Sequence, residues 1–276
     1  MSAGGSGQVT ERFITVRGLQ LCVEDRGEGP AVMLAHGMWC DAGMFNAVAQ
    51  LLARRARVLA PDLRAHGRSD VPPSRWSVAD VADDMAAMLD ELDVAQVVLA
   101  GFSMGGMAAV EFALRYPERL TGLALIGTSA AAEELVRSAE IRTLAKLIDL
   151  TGPARFLPHE ASRATFSPEF RRRHPKEIKR FESVVRAMPR AALTQALRAV
   201  AGRRPLLKEL PRIRVPVMIV VGGHDAVVRP KWSREMHQAI PGSRLVVYPN
   251  AGHAVPTERP GDVAELIEQL LPPGPA

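Results

Sequence analysis

Short apolar runs alternate with longer amphipathic segments along the first 126 residues of the chain. Apolar runs of about four to eight residues are typical of buried strands, and apolar positions that recur every three to four residues are typical of helices. The predicted strands are 13–17, 19–25, 31–35, 57–60, 96–100 and 120–126. The predicted helices are 45–54, 77–92 and 104–115. Strands separated by helices of this length predict crossover units and a mostly parallel central sheet flanked by helices.

The alternation stops between residues 130 and 208. This segment has a helical pattern punctuated by prolines and contains no convincing strand. Strand and helix signals resume at 215–221, 230–240, 244–248 and 261–271. Because connections between strands are usually far shorter, we expect one α/β core domain, formed by residues 1–129 and 209–276, with a helical lid inserted at 130–208.

The composition is that of a folded globular protein. Of the 276 residues, 47% are hydrophobic and 24% charged, and no apolar run reaches the roughly 20 residues that a membrane span needs. The start of the chain lacks a basic patch followed by an apolar run, so we expect no signal peptide. Two cysteines, Cys22 and Cys40, make no disulfide framework, and no Cys/His pair has zinc-ligand spacing. We therefore expect a cytoplasmic protein without a metal or other cofactor and without membrane contact.

The net charge of +5 is unevenly distributed. Residues 130–208 contain 17 Lys and Arg against 8 Asp and Glu, so this segment carries +9 and the rest of the chain −4. The basic segment has no nucleic-acid-binding signature, and we expect no nucleic-acid partner. Most of its charges should lie on solvated helix faces, and any that turn inward would favour an anionic substrate. The inward candidates are Arg137, Arg142, Arg163 and Arg186.

The sequence Gly101-Phe102-Ser103-Met104-Gly105 stands between a predicted strand and a predicted helix. In that context a G-x-S-x-G sequence forms a nucleophile elbow, a strained turn that exposes the serine hydroxyl. The glycines leave room for the strained backbone, and the positive end of the helix favours the oxyanion of acyl transfer. The pattern predicts Ser103 as a nucleophile rather than as part of a plain tight turn.

A serine nucleophile needs a base and an acid that orients the base. Among the seven histidines, His253 follows the last predicted strand and precedes the last helix. Asp225 follows another predicted strand, after two glycines. The chain order Ser103, Asp225, His253 is the order expected for this architecture, and we predict these three residues as the catalytic triad.

Other residues compete for these roles less well. His36 and His66 also stand at strand ends, but they precede the serine, and we expect them to shape the backbone. The histidines expected to be solvated are His159, His174 and His237. If Asp225 is not the acid, the next candidates are Glu133 and Glu134. The oxyanion donors should be backbone N–H groups near the end of strand 31–35 and at the start of the helix after the serine. We assign them to Met38 and Met104.

These segments resemble the α/β-hydrolase fold superfamily, in its lid-bearing group of esterases, enol-lactonases and C–C hydrolases. The resemblance covers the chain except for the helical insertion. One mild departure is Ala65, where the family usually has glycine. The matching stretches are 35–37, 61–70, 101–106, 115–119 and the loops of Asp225 and His253.

The resemblance implies a cofactor-free serine hydrolase that cleaves a small carboxylic ester or lactone through an acyl-enzyme intermediate. The 3-oxoadipate enol-lactonase group, whose substrate carries a carboxylate, is also similar. Two alternatives on the same triad fit less well. Met38-Trp39-Cys40 replaces the glycines common in meta-cleavage C–C hydrolases, and the proline that perhydrolases carry soon after His-Gly is missing. A receptor of the same fold that binds a small molecule without turnover is a further alternative. The sequence leaves the oligomeric state open.

Overall fold

A computed structural model of the chain describes residues 8–272. The strands are β1 (Thr10–Val16), β2 (Leu19–Arg26), β3 (Ala31–Ala35), β4 (Arg57–Pro61), β5 (Val97–Phe102), β6 (Leu120–Ile126), β7 (Val217–Gly222) and β8 (Arg244–Tyr248). These eight strands form one sheet in the order β1-β2-β4-β3-β5-β6-β7-β8. Strand β2 pairs antiparallel with β1 and with β4, and every other pairing is parallel. The predicted α/β-hydrolase architecture is confirmed.

Helices flank this sheet. The helices are α1 (Asn46–Leu52), α2 (Val78–Glu91), α3 (Met104–Arg115), α4 (Leu135–Thr151), α5 (Leu157–Thr165), α6 (Pro168–Arg173), α7 (Pro175–Ala187), α8 (Arg190–Ala201), α9 (Pro230–Ala239), α10 (Val255–Glu258) and α11 (Pro260–Glu268). Helix α1 packs against α11, and α2 packs against α3. Central parallel strands covered on both faces must be apolar throughout, and every residue of β5 and β7 is buried.

Several element boundaries differ from the sequence prediction. Strand β7 begins at Val217 instead of 215, after Pro216, which has no N–H to donate. Strand β5 runs two residues beyond 100, because Gly101 and Phe102 still pair with β6. Helix α2 begins with a capping box: the Ser77 hydroxyl accepts from Asp80 N, and the Asp80 carboxylate accepts from Ser77 N at 2.9 Å.

Residues 130–208, which we call the insertion, lie between β6 and β7 and contain helices α4–α8. Helix α8 is attached to the core by side-chain hydrogen bonds. Trp76 Nε1 donates to Gln195 Oε1 at 3.0 Å, and Trp39 Nε1 donates to the Leu193 carbonyl at 3.3 Å. After α8, Arg204 makes two 3.0 Å bonds to the carboxylate of Glu111 on α3. Within residues 8–272, no helix is long and apolar enough to span a membrane.

Candidate active site

Ser103 occupies the turn between β5 and α3 with φ 52° and ψ −114°. A positive φ is strained for a residue that carries a Cβ, and it persists only where the surroundings hold it. Ser103 N donates to the Ile126 carbonyl at 2.9 Å. The Thr128 hydroxyl donates to the Ser103 carbonyl at 2.7 Å. The turn is therefore held from β6 and from the residues that follow it, as a nucleophile elbow requires.

The glycines of the motif are explained by close backbone approach. A Cβ on Gly105 would lie 2.3 Å from the Ala35 carbonyl oxygen and 2.5 Å from the His36 carbonyl oxygen. A Cβ on Gly101 would lie 2.5 Å from the Gly105 carbonyl oxygen. No side chain fits at these distances. The first turn of α3 thus lies directly against the end of β3, and this contact positions Ser103 at the edge of the sheet.

The three predicted triad residues meet at this edge. His253 Nε2 lies 3.0 Å from Ser103 Oγ, and His253 Nδ1 lies 2.7 Å from Asp225 Oδ2. The side chains of His253 and Asp225 are 5% and 0% exposed. An ionised carboxylate can only accept a hydrogen bond, so Nδ1 is the donor and Nε2 is left to accept from the serine hydroxyl. This tautomer is the one in which histidine can remove the serine proton.

Asp225 is itself fixed by the loop that follows β7. Its Oδ1 accepts hydrogen bonds from Val227 N at 2.9 Å and from Val228 N at 2.8 Å. These two bonds leave Oδ2 for the imidazole. The other two acid candidates pair with cations and not with His253: Glu133 pairs with Arg203 at 2.6 Å, and Glu134 pairs with Lys231 at 3.4 Å.

The two amides assigned to the oxyanion lie beside Ser103. A Cβ on Gly37 would lie 3.1 Å from Ser103 Cβ, so the loop after β3 packs on the serine and brings the following residue, Met38, to the cavity wall. The Met38 N–H has no hydrogen-bond partner among residues 8–272. Met104 is the first residue of α3, where helical N–H groups have no partner within the helix.

Two other histidines at strand ends support the backbone instead. His36 Nε2 accepts from Leu63 N at 3.0 Å, and His66 Nδ1 lies 2.8 Å from the Arg64 carbonyl oxygen. Their rings contact each other, with centroids 5.2 Å apart. Burial lowers the pKa of both side chains, that of His66 to about 3. The three histidines expected to be solvated, His159, His174 and His237, are exposed.

A cavity of about 300 Å³ opens beside Ser103 and His253. Both the core and the insertion contribute to its wall, which is mainly apolar. The three charged residues on the wall are Glu133, Arg137 and Glu140. The other lining residues are Met38, Trp39, Cys40, Phe102, Met107, Ile141, Leu144, Ala161, Ala164, Thr165, Phe181, Leu197, Val200, Val227 and Val228.

Burial raises the pKa of the Cys40 thiol, so Cys40 is held as the protonated, weakly nucleophilic thiol.

The basic charge of the insertion does not converge on this cavity. Of the four arginines considered as inward candidates, only Arg137 lines it, and Arg137 is paired with Glu140 at 3.3 Å. Arg142, Arg163 and Arg186 are exposed. The charged groups on the wall are thus two carboxylates and one guanidinium, and three of the four candidate arginines lie on exposed helix faces.

The apolar residues of the insertion that form the pocket carry no distinctive signal in the sequence. Ile141 and Leu144 on α4, Phe181 on α7 and Leu197 on α8 face the cavity. Their apolar spacing predicts a buried helix face, but it does not distinguish burial against the core from burial around a ligand. No group of three or more potential metal ligands occurs in the part of the chain that the structure describes.

Comparison with known proteins agrees with this architecture. A family model described as the alpha/beta hydrolase fold matches residues 30–260. The fold and the strand–serine–helix turn define a hydrolase scaffold, and the chain belongs to the α/β-hydrolase family.

Three individual proteins are similar over most of the chain. A thermophilic esterase from Thermogutta terrifontis is 32% identical and superposes with a TM-score of 0.87, with 95% of this chain and 97% of the esterase covered. The enol-lactonase from Burkholderia xenovorans LB400 is 25% identical, also with a TM-score of 0.87, and 94% and 99% of the two chains are covered. A pimeloyl-[acyl-carrier protein] methyl ester esterase from Nitrosospira multiformis is 29% identical over 251 residues, which cover 85% of this chain and 92% of the esterase.

Proposed function

We propose that this hydrolase cleaves a small, uncharged carboxylic ester or lactone through an acyl-enzyme formed on Ser103. The observation that carries the proposal is the alignment of Ser103, His253 and Asp225 at 3.0 Å and 2.7 Å beside a largely apolar cavity. The similarity to an esterase and to an enol-lactonase supports the same class of bond.

In the first half of the reaction, Ser103 Oγ attacks the substrate carbonyl while His253 Nε2 takes the hydroxyl proton. The imidazolium that forms is stabilised by Asp225, which also keeps the ring in its productive tautomer. The N–H groups of Met38 and Met104 donate hydrogen bonds to the tetrahedral oxyanion. His253 then transfers its proton to the leaving oxygen as the acyl C–O bond breaks. An ester alcohol departs, whereas the hydroxyl of an opened lactone stays attached to the acyl group on Ser103.

In the second half, a water molecule takes the position of the leaving group. His253 removes a proton from this water, which attacks the acyl carbon and forms a second oxyanion in the same place. Collapse of this intermediate transfers the proton to Ser103 Oγ, releases the carboxylic acid and restores the hydroxyl.

The cavity limits the substrate. Its volume of about 300 Å³ corresponds to roughly ten water-sized groups at about 30 Å³ each. The apolar side chains from α4, α7 and α8 suit a short aliphatic or aromatic acyl group. The insertion acts as a lid that covers this group and excludes water, which strengthens the electrostatic interactions around the oxyanion.

A panel of p-nitrophenyl esters and simple lactones, assayed with the purified protein, tests the proposal. We expect turnover of the short, neutral members and no turnover by Ser103→Ala, since loss of a serine nucleophile costs about six orders of magnitude in kcat. The melting temperature should be kept, because the glycines maintain the turn. Wild-type rates in Ser103→Ala would overturn the nucleophile assignment. Binding of one equivalent of a panel compound without turnover would favour a receptor instead.

A further inference from the structure

The loop that carries His253 contacts the insertion directly. Ala254 N donates to the Thr165 carbonyl at 3.0 Å. One residue before the histidine, a Cβ on Gly252 would lie 2.6 Å from Ser167 N. The end of α5 and the residue before α6 therefore pack closely against the backbone on both sides of His253.

Glu258, at the end of α10, bonds to both sides of this contact. Its Oε1 accepts a hydrogen bond from Ser167 N at 2.8 Å and a second from Gly252 N at 3.2 Å. Its carboxylate makes no ion pair among residues 8–272, and the guanidinium of the neighbouring Arg259 lies 4.0 Å from Asp262 instead. The charge of Glu258 is thus directed at these two backbone amides, and such charge-assisted bonds are stronger than neutral ones.

We propose that Glu258 is a positioning residue that sets the orientation of His253 by holding the Gly252 amide against the insertion. The proposal rests on the function proposed above, in which His253 is the base. Glu258 is absent from the cavity wall, so it acts through the histidine loop and not on the substrate. A base must be held within a fraction of an ångström of its productive position, and hydrogen bonds beyond the reacting groups provide that restraint.

The same contact links substrate binding to the base. Ala161, Ala164 and Thr165 lie on the cavity wall, and the Thr165 carbonyl accepts from Ala254 N, next to His253. An acyl group that packs against α5 therefore contacts the same part of the insertion that Glu258 holds against the histidine loop through Ser167 N and Gly252 N. Glu258 keeps this segment and the loop together, so that the insertion and the base move as one unit.

Glu258→Met tests this role, because methionine keeps the length of the side chain and removes both acceptor oxygens. We expect kcat on the best ester of the panel to fall about ten- to a hundredfold, the range for a lost hydrogen bond to a charged group, while KM stays within about threefold. Glu258→Gln keeps an acceptor oxygen and should retain most of the activity. Glu265→Met is the matched control, because Glu265 is exposed on α11 and its carboxylate makes no hydrogen bond or ion pair among the described residues. It should behave as wild type.

A double-mutant cycle separates positioning from general stability. If Glu258 acts through His253, Glu258→Met should cost far less in the Asp225→Asn background, where the histidine is already misoriented. An equal factor in both backgrounds, or a wild-type kcat in Glu258→Met, would overturn the proposal while Ser103→Ala still tests the function. If Glu258→Met fails to fold, Glu258→Asp replaces it. The aspartate side chain is one methylene shorter, so its oxygens lie farther from the two backbone amides.

The positioning role can also be measured without ester turnover. Phosphonylation of Ser103 by a fluorophosphonate needs the same base, and we expect Glu258→Met to react about ten- to a hundredfold more slowly than wild type. Equal labelling rates would overturn the positioning role. An absence of ester hydrolysis by the wild-type protein would overturn the proposed function alone, and the labelling experiment would still decide the role of Glu258.

Discussion

The serine turn and the insertion contribute to one cavity, but their sequences are constrained to very different degrees. At the turn, backbone atoms lie so close together that Gly101 and Gly105 admit no side chain, and Ser103 is held at a positive φ. In the insertion, most positions of α4 are exposed, and Leu135 and Leu150 are 90% and 82% exposed. The turn that holds Ser103 is therefore fixed by close backbone contacts at the sheet edge, whereas the fold constrains few of the side chains on α4.

Among substitutions that leave Ser103 in place, the largest effect should come from the acid at the sheet edge. Asp225→Asn replaces an acceptor with an amide that can donate to His253 Nδ1, which favours the wrong tautomer. We expect kcat to fall by about four orders of magnitude with an unchanged circular dichroism spectrum. The insertion counterpart, Asp149→Asn, removes the partner of Arg198 and should leave kcat within about twofold, since exposed ion pairs contribute little. Full activity in Asp225→Asn would mean that another group orients the base.

A matched pair of glycine substitutions compares the backbones of the two regions. A Cβ at Gly105 would meet two carbonyl oxygens at 2.3 Å and 2.5 Å, whereas a Cβ at Gly152 would meet only the end of the Arg190 side chain at 3.6 Å. We expect Gly105→Ala to lower the free energy of unfolding by about 3 kcal/mol or more. Gly152→Ala should cost about 1–3 kcal/mol, because its φ of 80° and ψ of 170° lie in a backbone region that alanine rarely adopts. Equal costs in urea unfolding would contradict the difference between the regions.

This steric difference explains what the sequence could predict. The strands, the candidate triad residues and their order along the chain could be predicted from local patterns. The serine turn is the clearest case, because Gly101, Ser103 and Gly105 leave the backbone one arrangement. The helical character of the insertion was also predictable. The direction in which its side chains point could not be predicted, because arginines such as Arg163 fit the same helical pattern whether they point to solvent or to a ligand. Glu258 was missed for a related reason: its partners are backbone amides of Gly252 and Ser167, and backbone amides leave no signal in a sequence.

The buried histidines of the core should make stability depend on pH. Burial lowers the pKa of His66 to about 3, against about 6.5 in an unfolded chain. Between these two values the unfolded state binds a proton that the folded state refuses, so the free energy of unfolding falls as the pH falls, by about 1.4 kcal/mol per pH unit for this group. The pKa of His36 is lowered as well, and its contribution has the same sign.

The measurement is urea unfolding at pH 7 and pH 5 for wild type and His66→Gln. Glutamine cannot titrate, so the variant should lose less stability than wild type on acidification, by about 2 kcal/mol over this interval. A part of the slope should remain because of His36. An identical slope in both proteins would mean that His66 does not contribute to the acid sensitivity.

The smallest effect concerns the charge of the substrate, and it tests whether the insertion is basic only on its outside. The cavity wall carries Glu133, Arg137 and Glu140, and Arg137 is already paired with Glu140. An incoming carboxylate would have to break that pair and lose its own hydration, so we expect no gain in binding. A matched anionic ester and its neutral methyl ester should differ less than tenfold in kcat/KM, in favour of the neutral compound. The exposed cations add only a long-range attraction, screened over about 8 Å at physiological ionic strength, so salt should change the ratio little. A preference for the anion well above tenfold would require a desolvated arginine at the carboxylate, and it would show that the insertion adopts another arrangement when substrate is bound.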